Sequence, residues 1–97
     1  MPRYVVLVNF TEQGVRNIKD PPDWLRRGEE RLKQAGGRFV EWQATMGAYD
    51  AVAIIEVPDD ETATRALLAL GREGNVRTTT LRAYPREEFE RIVGSLP

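Results

Sequence analysis

Chemistry in this chain has few places to start. Residues 45–50 read Thr-Met-Gly-Ala-Tyr-Asp, so Gly47, Tyr49 and Asp50 stand together just before a run of Ala, Val and Ile. A carboxylate beside a phenol at the mouth of a cleft could act as a general base or hold a polar ligand. Tyr49 and Asp50 are therefore the candidates for any catalysis. The same residues also suit a tight turn. Glycine tolerates positive φ, aspartate accepts hydrogen bonds from loop N–H groups, and tyrosine covers an apolar edge with its hydroxyl in water. The turn needs nothing more, and no histidine or lysine stands nearby in sequence to assist catalysis.

A second set of polar side chains lies on otherwise apolar stretches: Asn9, Gln43, Thr45, Arg77, Thr78 and Thr80. An amide at the end of a buried strand must be bonded, so Asn9 either caps the following Thr-Glu-Gln-Gly loop or contacts a ligand. The planar fork of Arg77 suits a small carboxylate or phosphate, or an ion pair with Glu41 or Glu56. Trp24 and Trp42 either fill core and interface or line an apolar pocket. Asn9, Trp42, Tyr49, Asp50 and Arg77 are thus the ligand-binding candidates. They suit a small, partly apolar, anionic molecule. Asp59 and Asp60 read as a helix cap, and no spacing converges enough carboxylates for a metal.

The chain has neither Cys nor His. That removes thiolate nucleophiles, disulfides, zinc ribbons and imidazole proton transfer. Its single serine, Ser95, lies near the C-terminus. No cofactor is implied. Net charge is −1 with basic residues spread along the chain, and residues 50–57 carry no aromatic on which a base could stack. Nucleic acid is therefore not an expected partner. No apolar run approaches the roughly 20 residues of a membrane span, and the N-terminal residues read as a strand and not as a leader. The expectation is a cytoplasmic protein with no membrane partner. Its 97 residues form one domain, 1–97.

Hydrophobic periodicity supplies the elements that position these residues. Residues 3–10 and 50–57 are apolar in both parities, as strands buried on both faces are, so both are expected to be central. Residues 38–46 alternate, with Val40, Trp42, Ala44 and Met46 against Phe39, Glu41, Gln43 and Thr45. Residues 75–84 are β-branched and alternating, which gives a fourth strand. Thr11 can cap a one-turn helix that Gly14 loosens. Asp20 and Pro21 open a helix ending at Gly36-Gly37, with Leu25, Gly28, Leu32 and Ala35 inward and Gly28 permitting close approach to the sheet. Asp59 or Asp60 caps a helix with Ala63, Ala66, Leu67 and Leu70 inward, ended by Gly71 and Gly74. Pro85 opens a last short helix with Phe89, Ile92, Val93 and Leu96 inward. The order βαββαβ predicts an α+β, ferredoxin-like fold: a four-stranded antiparallel sheet of spatial order 4-1-3-2 with helices on one side, plus the short C-terminal helix.

Three stretches taken in order, residues 7–20, 47–60 and 68–84, resemble the GYD-domain family, whose signature falls here on Gly47, Tyr49 and Asp50. The resemblance covers about residues 3–92. It implies the dimeric α/β-barrel type of ferredoxin-like fold, with two sheets face to face, and it brings no established activity and no catalytic residues. A homodimer or higher oligomer is also expected on physical grounds. An isolated subunit would expose on the order of several hundred Å² of apolar sheet. Three roles follow: a homo-oligomeric small-molecule binder or cofactor-independent enzyme, a regulatory module with an effector at subunit contacts, and an interaction protein with no ligand.

Overall fold

In the computed structural model, which describes residues 1–19 and 21–97, the chain runs β1 (Arg3–Phe10), α1 (Glu12–Arg16), α2 (Pro21–Gln34), β2 (Arg38–Ala44), β3 (Ala51–Glu56), α3 (Asp60–Arg72), β4 (Val76–Ala83) and α4 (Arg86–Gly94). The strands form one antiparallel sheet in the order β2-β3-β1-β4. This is the expected ferredoxin-like arrangement, with the two Val- and Ile-rich strands in the middle. The Asp20 cap expected for α2 lies outside the described residues. No helix among those described is long and apolar enough to cross a membrane.

Alternation along the central strands sorts the sheet into two faces. Tyr4, Val6 and Val8 of β1 and Ala51, Ala53 and Ile55 of β3 are buried with Trp24 and Leu32 of α2 and Ala63 of α3. Their neighbours Val5, Leu7, Val52 and Ile54 are only half-buried. Burial of both faces, expected from composition, is therefore not reached within one chain. Among the described residues, no helix lies over the second face. Capping of α3 follows the sequence: Asp59 accepts from the Thr62 N–H at 2.8 Å. The Tyr4 hydroxyl donates to Asp60, tying the start of α3 to β1.

Several local expectations are corrected. A β-bulge between Phe39 and Glu41 breaks the alternation of β2, so Phe39 pairs with Ile55 and shares the helix-covered face with Trp42. The bulged extra residue, Val40, is what shifts the parity. On α2, Trp24 and Leu32 are buried while Ala35 is exposed. Gly28 makes no close approach, since a Cβ there would meet nothing within 4 Å. Gly14 does: its Cβ would lie 2.0 Å from the Asn75 carbonyl oxygen. It does not loosen α1 but lets that turn press against the start of β4, where the Thr11 N–H donates to the same carbonyl at 3.0 Å. Gly71 lies inside α3, and the chain turns at Gly74, with φ 85°.

The last helix departs most. α4 has no buried residue, and Phe89 and Leu96, expected to face inward, are 56% and 67% exposed. The radius of gyration, 14.6 Å, exceeds the about 12.5 Å of a compact chain of this length. The amphipathic stripe is present, but nothing among the described residues covers it.

Two outcomes test this packing. Gly14→Ala is expected to cost about 3 kcal/mol or more, because backbone must move on both sides of the contact; urea denaturation measures it. Burial, then the hydrogen bond to Asp60, pushes the Tyr4 hydroxyl up to about 12. The fold thus favours the neutral phenol. Its contribution is complete below the ordinary tyrosine value near 10 and is lost as pH rises through about 12. Tyr4→Phe is expected to flatten the stability–pH curve over that window.

Candidate functional site

A cavity of about 60 Å³ lies between the sheet and the helices. β1, β3 and the bulged β2 form its floor through Val6, Val8, Ile55, Phe39 and Trp42. The inward faces of α2 and α3 form its roof through Trp24, Leu25, Gly28, Leu32, Leu67 and Leu70. Among the described residues, Arg31 is the only charged one in the lining. Trp24 is held edge-on against Phe10, with ring centroids 6.1 Å apart.

The roof is tied by ions. Glu73, just past α3, accepts from Arg31 at 3.0 Å and from Arg27 at 3.2 Å, both on α2. Burial alone would push the Glu73 carboxyl up, but the hydrogen bonds from Arg31 and Arg27 outweigh it and hold it below its ordinary value. Trp24 Nε1 and Arg31 Nη1 are buried without a hydrogen-bond partner among the described residues, as is Glu73 Oε2.

Of the five ligand candidates, only Trp42 lines this cavity. Tyr49 and Asp50 lie in the β2–β3 turn. Asn9 and Arg77 are directly paired in the β1–β4 register, in the parity of Val5 and Leu7, and so on the open face. Asn9, Arg77 and Asp50 thus meet around the end of β1, with Tyr49 beside Asp50, while Trp42 lies apart on the helix-covered face. The capping role offered to Asn9 falls to Thr11, whose Oγ1 accepts from the Gly14 N–H at 3.1 Å. Within one chain, Arg77 pairs with neither Glu41 nor Glu56. Glu56 is held by Arg3 at 2.9 Å and Arg38 at 2.8 Å, and Glu41 accepts from Gln43. The Arg3 hydrogen bond is the chief reason the Glu56 carboxyl lies below its ordinary value. Sequence reasoning missed Arg31, although Trp24, Gly28 and Arg31 follow at spacings of four and three and so share one helix face.

The turn is built for connection. Gly47 has φ 113°, as the tight turn requires. The Thr45 N–H donates to the Asp50 carbonyl at 2.9 Å, and the Thr45 hydroxyl to the Tyr49 carbonyl at 2.6 Å. Asp50 reaches beyond the turn. Its N–H donates to the Val8 carbonyl at 2.8 Å, and its Oδ2 accepts from the Phe10 N–H at 2.8 Å. The carboxylate therefore bonds a backbone N–H on β1 and not one beside the turn.

The GYD domain family model matches residues 4–93. The chain belongs to the GYD family. A curated relative from Thermus thermophilus, named "Glutamine synthetase and cystathionine beta-lyase binding protein", is 35% identical over 86 residues, 88% of this chain and 90% of the relative. A crystal structure of a protein from Thermus thermophilus superposes with a TM-score of 0.54 at 24% identity, covering 89% of this chain and 100% of that one, and supports the fold. Gly47, Tyr49 and Asp50 sit in the turn between β2 and β3, and Asp50 alone of the three bonds β1.

Substitution separates this joining role from chemistry. Asp50→Ala is expected to cost about 1–2 kcal/mol, because it leaves the Phe10 N–H without its acceptor. Asp50→Asn keeps a neutral acceptor and should lose only part of that. Gly47→Val should cost at least about 1 kcal/mol through backbone strain. Chemical denaturation of the three variants measures all of these.

Proposed function

We propose that this GYD domain is a homo-oligomeric, cytoplasmic protein-binding module that holds other enzymes. The observation that carries the reading is the amount of apolar surface the chain leaves without an internal partner. Val5, Leu7, Val52 and Ile54 on the open sheet face are half-buried, and Leu81 beside them is 51% exposed. Phe89, Ile92, Val93 and Leu96 of the α4 segment are exposed as well. Monomers seldom carry contiguous patches of this kind, which usually mark interaction sites. The open sheet face suits a second copy related by two-fold symmetry. α4 suits an enzyme partner, as an amphipathic helix laid into a groove. The relative's name, for binding glutamine synthetase and cystathionine beta-lyase, makes those two enzymes the first partners to try.

Sedimentation at micromolar concentration is expected to give a mass above the 11.0 kDa of one chain, and Ile54→Glu to return it to that value. A stable monomer for the unaltered chain defeats the oligomeric part. In surface-binding measurements with glutamine synthetase and cystathionine beta-lyase of the same organism, at least one should bind, and Phe89→Ser should weaken it about tenfold or more. If neither enzyme binds, the partner part is wrong.

A second reading is favoured by the sheet–helix cavity: a small, partly apolar molecule bound there, with Trp42 in its wall. Asn9, Tyr49, Asp50 and Arg77 would then act only from outside the cavity, at the turn and on the open face.

A further inference from the structure

The helix above the cavity carries a glycine that packing does not explain. Gly28 is inside α2, where glycine weakens a helix relative to alanine. Yet a Cβ there would meet nothing within 4 Å, and the residue lines the cavity. Its steric consequence is room. The cavity volume, about 60 Å³, is several times the roughly 10–15 Å³ that one water needs.

Two donors accompany this room. Trp24 is only 6% exposed, lines the cavity, and has a buried Nε1 with no hydrogen-bond partner among the described residues. Arg31 also lines it and has a buried Nη1 in the same condition, while its Nη2 is held by Glu73. An indole N–H and a guanidinium can only donate. Whatever satisfies them must present an acceptor. Around it, two guanidiniums, Arg27 and Arg31, share one carboxylate, Glu73, which leaves local positive charge. Glu73 is not among the residues lining the cavity.

We propose that this cavity binds a small carboxylate with an apolar body, the carboxylate accepting from Trp24 Nε1 and Arg31 Nη1 and the body lying against Phe39, Trp42 and Leu67. This deepens the second reading above and rests on it, not on the protein-binding one. It also moves the polar contacts from Asn9 and Arg77 to two residues on α2. Short branched and simple aryl acids are the matching class.

Trp24 and Trp42, the only two tryptophans, report occupancy directly. The isolated protein is titrated with isobutyrate and with benzoate, following tryptophan fluorescence and thermal shift, with toluene and benzylamine as controls. The acids should bind, and benzylamine should not. Trp24→Phe keeps the aromatic packing but loses the donor, and should weaken benzoate about tenfold while leaving toluene unchanged. Gly28→Leu fills the space from the helix, and should abolish binding without lowering the melting temperature. Absence of any response to either acid at about 10 mM would defeat the proposal. Undiminished binding in Gly28→Leu would place the site elsewhere and defeat it too. Benzoate affinity unaffected by Trp24→Phe would overturn the assigned contact. No enzyme partner is present in these measurements, so the protein-binding reading stands or falls separately. If the unaltered chain binds neither acid nor toluene, the cavity reading itself fails. If toluene binds and the acids do not, only the carboxylate assignment fails.

Discussion

Register between β1 and β3 assigns every surface of this chain. Side chains alternate along a strand, so a slip of one residue would carry Tyr4, Val6 and Val8 to the open face and bring Val5 and Leu7 under the helices. Both sets are apolar, and hydrophobicity alone discriminates poorly between the two registers. Asp50 supplies the discrimination. With its own N–H on the Val8 carbonyl and its carboxylate on the Phe10 N–H, it grips the end of β1 from two sides. A carboxylate accepting a backbone N–H makes a stronger and more directional bond than a neutral group would. Asp50 therefore acts as a register lock, and the helix-covered and open faces follow from it.

With the register set, the helices still have to be held at the right height. The bulk of that work falls to groups near residues 73–75. Arg27 and Arg31 pull α2 toward Glu73, while Gln13 donates to the Glu73 carbonyl and to the Asn75 side chain. Thr11 donates from its hydroxyl to the Gly74 carbonyl at 2.5 Å. α1, α2, the end of α3 and the start of β4 thus meet at one knot beside the cavity. Anything that shifts Glu73 shifts the cavity roof as well.

How much of this was legible in the residues depends on the range of the interaction that decides it. β1 and β3 were visible because both parities are apolar, and the Thr11 and Asp59 caps because capping is local. Phe39 was misplaced because a bulge changes parity without leaving a mark in composition. The role of Gly14 depends on Asn75, far along the chain, and no local rule carries that contact. Asn9 and Arg77 attracted attention as polar residues on apolar strands, but a strand position says nothing of which face the helices will cover. The stripe on α4 was correctly seen as apolar on one side. Its direction was not, because an amphipathic helix specifies that a partner exists and not that the partner belongs to the same chain. Arg31 was not singled out, although its spacing puts it on the face of Trp24.

The position of β1 has a consequence for the order of events as the chain folds. Its partners are β3 on one side and β4 on the other, with Arg3 opposite Ala83. The earliest of these four strands is therefore among the last to be enclosed. On a ribosome it must wait for β3 to give it one neighbour, and for β4 to give it the second. Until then an edge rich in Val, with unpaired N–H and C=O groups, is open to any other strand. Such non-local pairing slows folding relative to a helical bundle of equal size. The Val-rich segment that makes the best centre for the finished sheet is also the stretch most exposed to misassembly while the sheet is incomplete.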